Sequence, residues 1–184
     1  MPKRTKPYLS HASVRPEAEA DLNAYPFCIA AVREINCIEF HPNVTFFSGE
    51  NGSGKSTVLE ALALALGFGA EGGTRNVRFQ STDSVSSLHN SLRLAKSVHK
   101  PRDGYFLRAE SFFNIATYMD DLGYLGGYGG ASLHKQSHGE AFMAVLLHKL
   151  AGNGIYLFDE PEAALSPNRQ LAALRAIHQL VEDH

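Results

Sequence analysis

Gly49-Glu50-Asn51-Gly52-Ser53-Gly54-Lys55-Ser56-Thr57 decides how this sequence folds. The stretch fits G-x-x-x-x-G-K-[ST] at every position. Residues 44–48 just before it are β-branched and aromatic, which predicts a strand. From Lys55 to about Leu66 the chain is rich in Leu and Ala, which predicts a helix ended by Gly67 and Gly69. Strand, glycine-rich turn and helix in that order make a phosphate-binding loop. Glycines at 49, 52 and 54 allow the backbone to wrap an anion with its N–H groups pointing inward. The helix that follows aims the positive end of its dipole at the same place. Lys55 is expected to reach the β- and γ-phosphates of a nucleotide, and the Ser56 hydroxyl to ligate Mg²⁺. The expected nucleotide-binding residues are therefore Gly49, Asn51, Gly52, Ser53, Gly54, Lys55, Ser56 and Thr57.

A second segment complements the first. Ile155-Tyr156-Leu157-Phe158-Asp159-Glu160 is an apolar run closed by two carboxylates. A buried strand that ends in acids must deliver them to a polar pocket, because an unpaired buried charge costs too much. In a phosphate-loop protein this is the Walker B strand, parallel to the strand that feeds the loop. Asp159 is then expected to hold the Mg²⁺ shell and Glu160 to act as the catalytic general base on an attacking water.

Around these segments the chain alternates. Strands are expected at 27–31, 36–40, 44–48, 105–109 and 154–158, with a further short one at 76–79 inside a loop spanning 71–82. Helices are expected at 84–98, 111–119, 137–150 and from 167 to about 181. In the last of these, Ser166 is a natural N-cap, Pro167 suits the first turn, and Leu171, Leu174, Ile177 and Val181 share one face. Residues 1–24 are polar with three prolines and read as a flexible arm, while 120–132 carry five glycines and read as a connector. Strands alternating with helices indicate an α/β fold with a largely parallel core.

Composition narrows the class further. With 184 residues the chain can bury about 70% of its unfolded surface, so it needs no disulfide or metal staple. A net charge of −2 argues against a strongly basic nucleic-acid binder. Two cysteines, Cys28 and Cys37, fit a reduced, cytoplasmic protein better than a secreted framework. No apolar run is long enough to span a bilayer, and no signal peptide is read, so membrane insertion is not expected.

Asp159-Glu160-Pro161-Glu162-Ala163-Ala164-Leu165-Ser166 resembles the Walker B and D-loop of ABC-type ATPases, and Gln136-Ser137-His138-Gly139-Glu140 resembles their signature motif. The order of phosphate loop, signature, Walker B and D-loop is the ABC order. The chain is most similar to soluble bacterial ABC-like proteins often called predicted AAA-family ATPases. These carry phrases like Gly72-Gly73-Thr74-Arg75-Asn76 and Phe106-Leu107-Arg108-Ala109-Glu110-Ser111-Phe112-Phe113-Asn114.

The resemblance implies a P-loop NTPase fold of ABC type: a mainly parallel core sheet flanked by helices, with a small antiparallel N-terminal part. It implies one ATPase domain over 25–184, with 84–136 as a helical and connector subregion. It further implies that two copies dimerise head to tail around ATP and Mg²⁺, hydrolysing ATP to drive a conformational cycle. Ser137 and Gly139 of one copy would then contact the γ-phosphate held by the other. An unidentified protein or nucleic-acid partner is expected to use that cycle.

The sequence also departs from the pattern. His138 and Glu140 stand where transporter signatures carry glycine and glutamine, which disfavours a transporter role. The sequence ends at His184 in a helix-like segment, before the strand that carries a switch histidine in ABC-type ATPases, so a C-terminally incomplete ATPase domain is expected. That puts hydrolysis in question and motivates an alternative, a nucleotide-gated dimerisation switch with little or no turnover. The glutamine-loop position stays open between Gln80 and Glu110, and Tyr25 or Phe27 could stack on adenine or serve the core. Glu140 at the third position after Ser137 also fits an ordinary helix cap. A zinc pattern, a guanine-specific motif and the arginine-rich lid of a small-molecule kinase are not found. Lys96, His99, Lys100 and Arg102 form a basic cluster that reads first as a solvated loop.

Overall fold

The computed structural model describes residues 7–15, 21–76, 85–112, 114, 117 and 137–182. The chain divides into two compact units. One is formed by Met1–Gly67 with Thr82–Lys100, the other by Phe68–Ser81 with Pro101–His184. The architecture is mixed α/β, with one small antiparallel sheet and one parallel sheet, and is compatible with a P-loop-like fold.

The first unit holds strand β1 (Leu9–Val14), helix α1 (Ala30–Arg33), strand β2 (Ile38–Glu39), helix α2 (Lys55–Ala65), helix α3 (Leu88–Ser91) and strand β3 (Leu92–Lys96). The three strands form an antiparallel sheet in the order β2-β1-β3. The central strand lies inside the stretch expected to be a flexible arm, so that expectation is corrected for Leu9–Val14. Its register explains why the sequence hides it. Leu9 and Ala12 are both buried although they stand three residues apart, where a regular strand turns them to opposite faces. An irregularity between Leu9 and His11 in the pairing with β3 restores them to one side.

Three further expectations change in this unit. Residues 27–31 do not form a strand: Cys28 donates to Ala24 O, and Val32 and Arg33 donate to Ile29 O, so local bonds lead into α1. The helix expected at 84–98 shrinks to Leu88–Ser91, because Leu92–Lys96 pair with β1. Residues 44–48 form no strand, and Phe46 is 78% exposed; strand preference is realised only against a partner. The α2 expectation holds. Its Ala- and Leu-rich sequence suits a helix, Val58, Ala61, Leu62 and Ala63 are buried, and Gly67 (φ 91°) donates to Leu64 O beyond its end. Lys96 Nζ donates to Ala65 O at 3.5 Å, a cation at the negative end of the helix.

The second unit holds strand β4 (Asp103–Arg108), helix α4 (His138–Ala144) continued by a wide π-helical turn (Val145–Lys149), strand β5 (Gly154–Asp159), a 3₁₀ turn (Pro161–Ala164) and helix α5 (Pro167–Glu182). β4 and β5 pair in parallel, from Asp103 opposite Gly154 to Arg108 opposite Asp159. Gly104, Tyr105, Phe106 and Leu107 are all buried without alternation, as in a strand covered on both faces. The opposite edge of β4 meets Gly73, which exchanges two backbone bonds with Phe106. The core gathers Tyr105, Leu107, Phe112, Phe142, Val145, Leu146 and Leu165, with the Phe112 and Phe142 rings 6.5 Å apart.

The α5 helix forms where expected but turns a different face inward. Ala173 is buried, and Ala176, Ile177 and Leu180 pack against the core, while Leu171 and Leu174 are exposed. The small alanines let the helix approach closely, and the 173-176-177-180 spacing is itself a helical stripe. Phe112, Asn114 and Thr117 of the helix expected at 111–119 are helical. The expected strand residues 77–79, Gln80, Gln136 and the connector at 120–132 lie outside the described residues. No helix among the described residues is long and apolar enough to cross a membrane.

Candidate functional site

The expected site residues fall in both units, and each set takes its geometry from its own unit. In the first, Gly49 to Thr57 form a turn that runs into α2. Gly52 and Gly54 carry φ of 80° and 96°, a region that other residues enter at a cost of about 1–2 kcal/mol. The spacing of glycines in the sequence is thus a backbone requirement here. A methyl group on Gly54 would also sit 3.0 Å from Ile29 Cγ2, and one on Gly49 would sit 2.9 Å from Ser53 Oγ. The chain turns where Ser53 N donates to Glu50 O, and α2 opens with Val58 N donating to Gly54 O.

Lys55 folds back over this loop. Its Nζ donates to Gly49 O at 2.8 Å and Glu50 O at 2.9 Å. The ammonium thus sits over its own turn, half-buried beside Ser56 and Thr57. The Tyr25 hydroxyl meets Thr57 Oγ1 at 3.3 Å. Tyr25 is 61% exposed and Phe27 is buried, so Tyr25 offers a ring face beside the loop and Phe27 does not.

In the second unit, Asp159 closes β5 and is 4% exposed. Arg108 is its register partner on β4. Arg108 Nε lies 3.7 Å from Asp159 Oδ2, and Arg108 Nη2 lies 3.4 Å from Glu110 Oε2. Glu160 follows in the left-handed region (φ 50°, ψ 49°), the one such non-glycine among the described residues. A side chain held there stores about 1 kcal/mol or more, and residues strained in this way cluster at active sites, ligand clamps and switch regions. Glu160 is exposed, and its carbonyl accepts from Ala163 N to start the 3₁₀ turn.

Ser137 caps α4, and the cap that the sequence allowed is present. Ser137 Oγ accepts from Glu140 N at 3.4 Å, and Ser137 N donates to Glu140 Oε2 at 2.9 Å. Arg169 of α5 closes the group, donating to Ser137 Oγ at 3.1 Å and to Glu140 Oε1 at 2.9 Å. The backbone N–H of Ser137, then its hydroxyl, then Arg169 hold the Glu140 carboxyl below the usual carboxylate range. The Ser137 hydroxyl accepts from Glu140 N and Arg169, and its one hydrogen goes to the Glu140 carboxyl. Gly139 is buried, and a methyl group there would crowd Arg169 Nη1 at 2.8 Å and Ala164 O at 3.0 Å.

Arg108 and Arg169 were missed in the sequence. Arg108 could have been found by lining up the ends of the two apolar strands, since both end in a charged residue. No local signal marks Arg169, which lies 32 residues from Ser137. The described residues contain no group of three or more His, Cys, Asp and Glu placed to hold a metal ion, and Cys28 and Cys37 are free and exposed.

Comparison with known families matches residues 26–120, a little over half of the chain, to an AAA domain. The matched stretch contains the phosphate loop and stops before Ser137 and Asp159. No curated protein and no solved structure matches the chain.

Proposed function

The chain belongs to the AAA domain family, a nucleotide-binding, ATPase-like family, and from that premise we propose that it is an ABC-type ATPase that binds ATP with Mg²⁺ and hydrolyses it in a head-to-tail dimer. Residues 25–184 act in this reading as one ATPase domain. The observation that carries it is the loop from Gly49 to Thr57, with its two left-handed glycines, its folded-back lysine and the 11-residue helix behind it. Such a loop followed by a helix N-terminus is built to receive phosphate.

Each residue has a physical task. Gly49, Asn51, Gly52 and Gly54 offer backbone N–H groups to the phosphates, and Ser53 does so on leaving Glu50 O. Lys55 exchanges two neutral carbonyl partners for anionic oxygens, a stronger hydrogen bond. Ser56 and Asp159 supply hard oxygen donors of the kind Mg²⁺ takes. When bound, the ion neutralises charge on the phosphates. Glu160 orients the attacking water and accepts its proton. Thr57 steadies the loop end, and Tyr25 beside it is the better placed aromatic to cover a base. From a second copy, Ser137 turns its hydroxyl hydrogen from the Glu140 carboxyl to a γ-phosphate oxygen, and Gly139 gives its backbone N–H to the same group.

The test is ATP turnover per chain across a range of protein concentrations with Mg²⁺, using Glu160→Gln as the blank. Specific activity that climbs with concentration and vanishes in the variant supports a site shared between copies. Binding of ATP without turnover at any concentration would instead leave a nucleotide-gated dimerisation switch.

A further inference from the structure

The carboxyl ends of β4 and β5 hold an arrangement that phosphate binding does not require. Arg108 and Asp159 are register partners, so their side chains leave the parallel sheet on the same face. The guanidinium reaches two carboxylates at once, Asp159 at 3.7 Å and Glu110 at 3.4 Å. The surroundings of the two differ sharply. The Asp159 side chain is 6% exposed and that of Glu110 is 76% exposed. A buried carboxylate needs a counter-charge close by. An exposed one stays hydrated whether the arginine is there or not. Moving the arginine toward Glu110 therefore takes compensation away from Asp159, and an incoming cation restores it.

We propose that Arg108 is the resident counter-ion of Asp159 and yields that carboxylate to a divalent cation, passing to Glu110 as the cation arrives. This rests on the reading of Asp159 as a Mg²⁺-site residue. A guanidinium and a divalent cation draw on the same oxygens and repel each other, so occupancy by one opposes the other. Arg108 is then a positioning residue. It sets how much free Mg²⁺ the site demands, and it does not hold the phosphates. Glu110 sets the balance from the other side, by giving the displaced arginine somewhere to go.

The experiment is calorimetric titration of the full chain with ATP at a series of free Mg²⁺ concentrations, which yields the half-saturating Mg²⁺. Arg108→Gln should lower that concentration at least about fivefold, the low end of ordinary coupling between two sites. ATP affinity without Mg²⁺ should stay as it was. Glu110→Gln, at an exposed position that tolerates change, should shift the requirement the opposite way, and the shift should disappear in the Arg108→Gln background. An unchanged or raised Mg²⁺ requirement in Arg108→Gln overturns the proposal. So does an equal loss of ATP affinity without Mg²⁺, which would make Arg108 a phosphate contact. If Arg108→Gln does not fold, Glu110→Gln decides alone, and an unmoved requirement refutes the exchange. Asp159→Asn separates the two layers. If it leaves the Mg²⁺ requirement untouched, the metal reading of Asp159 falls and this proposal with it. If it raises the requirement while Arg108→Gln moves nothing, the metal reading stands and the arginine exchange alone is wrong.

Discussion

Gly139→Ala tests whether the crowding at the start of α4 is real. Two effects of opposite sign compete. Replacing glycine with alanine inside a helix is ordinarily favourable by up to about 1 kcal/mol. Here the new methyl group would sit 2.8 Å from Arg169 Nη1, 3.0 Å from Ala164 O and 3.3 Å from Arg169 Cδ. The arginine can swing away, since its head is the end of a flexible side chain. Doing so gives up its bond to Ser137, worth roughly 0.5 kcal/mol at this exposure, together with the bond to Glu140. Ala164 O belongs to the backbone of the 3₁₀ turn, and moving it a few tenths of an ångström adds overpacking of about 1–2 kcal/mol. The crowding wins, and the net loss comes to about 1 kcal/mol, or roughly 2–4 °C in a protein of this size. Urea unfolding and thermal melts of the full chain read it. The double variant with Arg169→Ala should recover part of the loss, because only the carbonyl contact remains. A Gly139→Ala chain as stable as the parent, or more so, would refute the reasoning.

Other expectations follow from the same geometry. Lys55→Ala should weaken ATP binding in a calorimetric titration by at least about tenfold, as loss of a charge-assisted contact does; unchanged affinity would remove Lys55 from the site. Burial, followed by the hydrogen bond and charge of Asp103, raises the Tyr156 hydroxyl pKa above its ordinary 10.0. The folded state then holds that proton more tightly, so stability is kept below pH 10.0 and declines as the pH climbs above it. Tyr156→Phe should abolish that alkaline decline, and a melt-against-pH series that keeps it in the variant rules the assignment out. The Glu140 carboxyl is shifted the other way, below 4.5. Its contribution is present above pH 4.5 and lost as the pH falls through the lower folded-state value. Unfolding midpoints of the parent and Glu140→Gln should therefore converge in acid and separate near neutrality.

What the sequence disclosed was local in origin. The turn at Gly49 to Thr57 is written in residue types at fixed offsets, because a left-handed φ at Gly54 and a helix starting at Lys55 are decided within a few bonds. β4 and β5 were legible as apolar runs, and the cap at Ser137 as a serine three residues before a glutamate. The losses were pairings made at a distance. Leu92, Leu94 and Ala95 share a helix-like spacing with Val85 and Leu88, but backbone bonds to Leu9–Val14 turn them into a strand. Residues 44–48 have strand chemistry with no strand. Periodicity chose Leu171, Leu174, Ile177 and Val181 of α5 for the core; the fold keeps Ile177 but turns Leu171 and Leu174 outward and brings in Ala173, Ala176 and Leu180. At the site, Asp159 was legible and its counter-ion was not, since an ion pair between neighbouring strands has no spacing in sequence.

The chain weaves between its two units. One is finished only by Thr82–Lys100, after Phe68–Ser81 has already been committed to the other. Strand β1, near the start, finds its longer partner β3 only at Leu92–Lys96. A nascent chain leaving the ribosome therefore has only the short β2 to pair with its first strand, whose other edge stays open until most of the first hundred residues have emerged, and closing so long a loop retards folding. A single cut cannot release either unit intact. A fragment ending at Gly67 contains the whole turn from Gly49 to Thr57 but leaves behind α3 and β3, the elements that α2 packs upon. The same weave makes swapping one unit for a relative's a matter of several junctions, so the two are expected to have been inherited together.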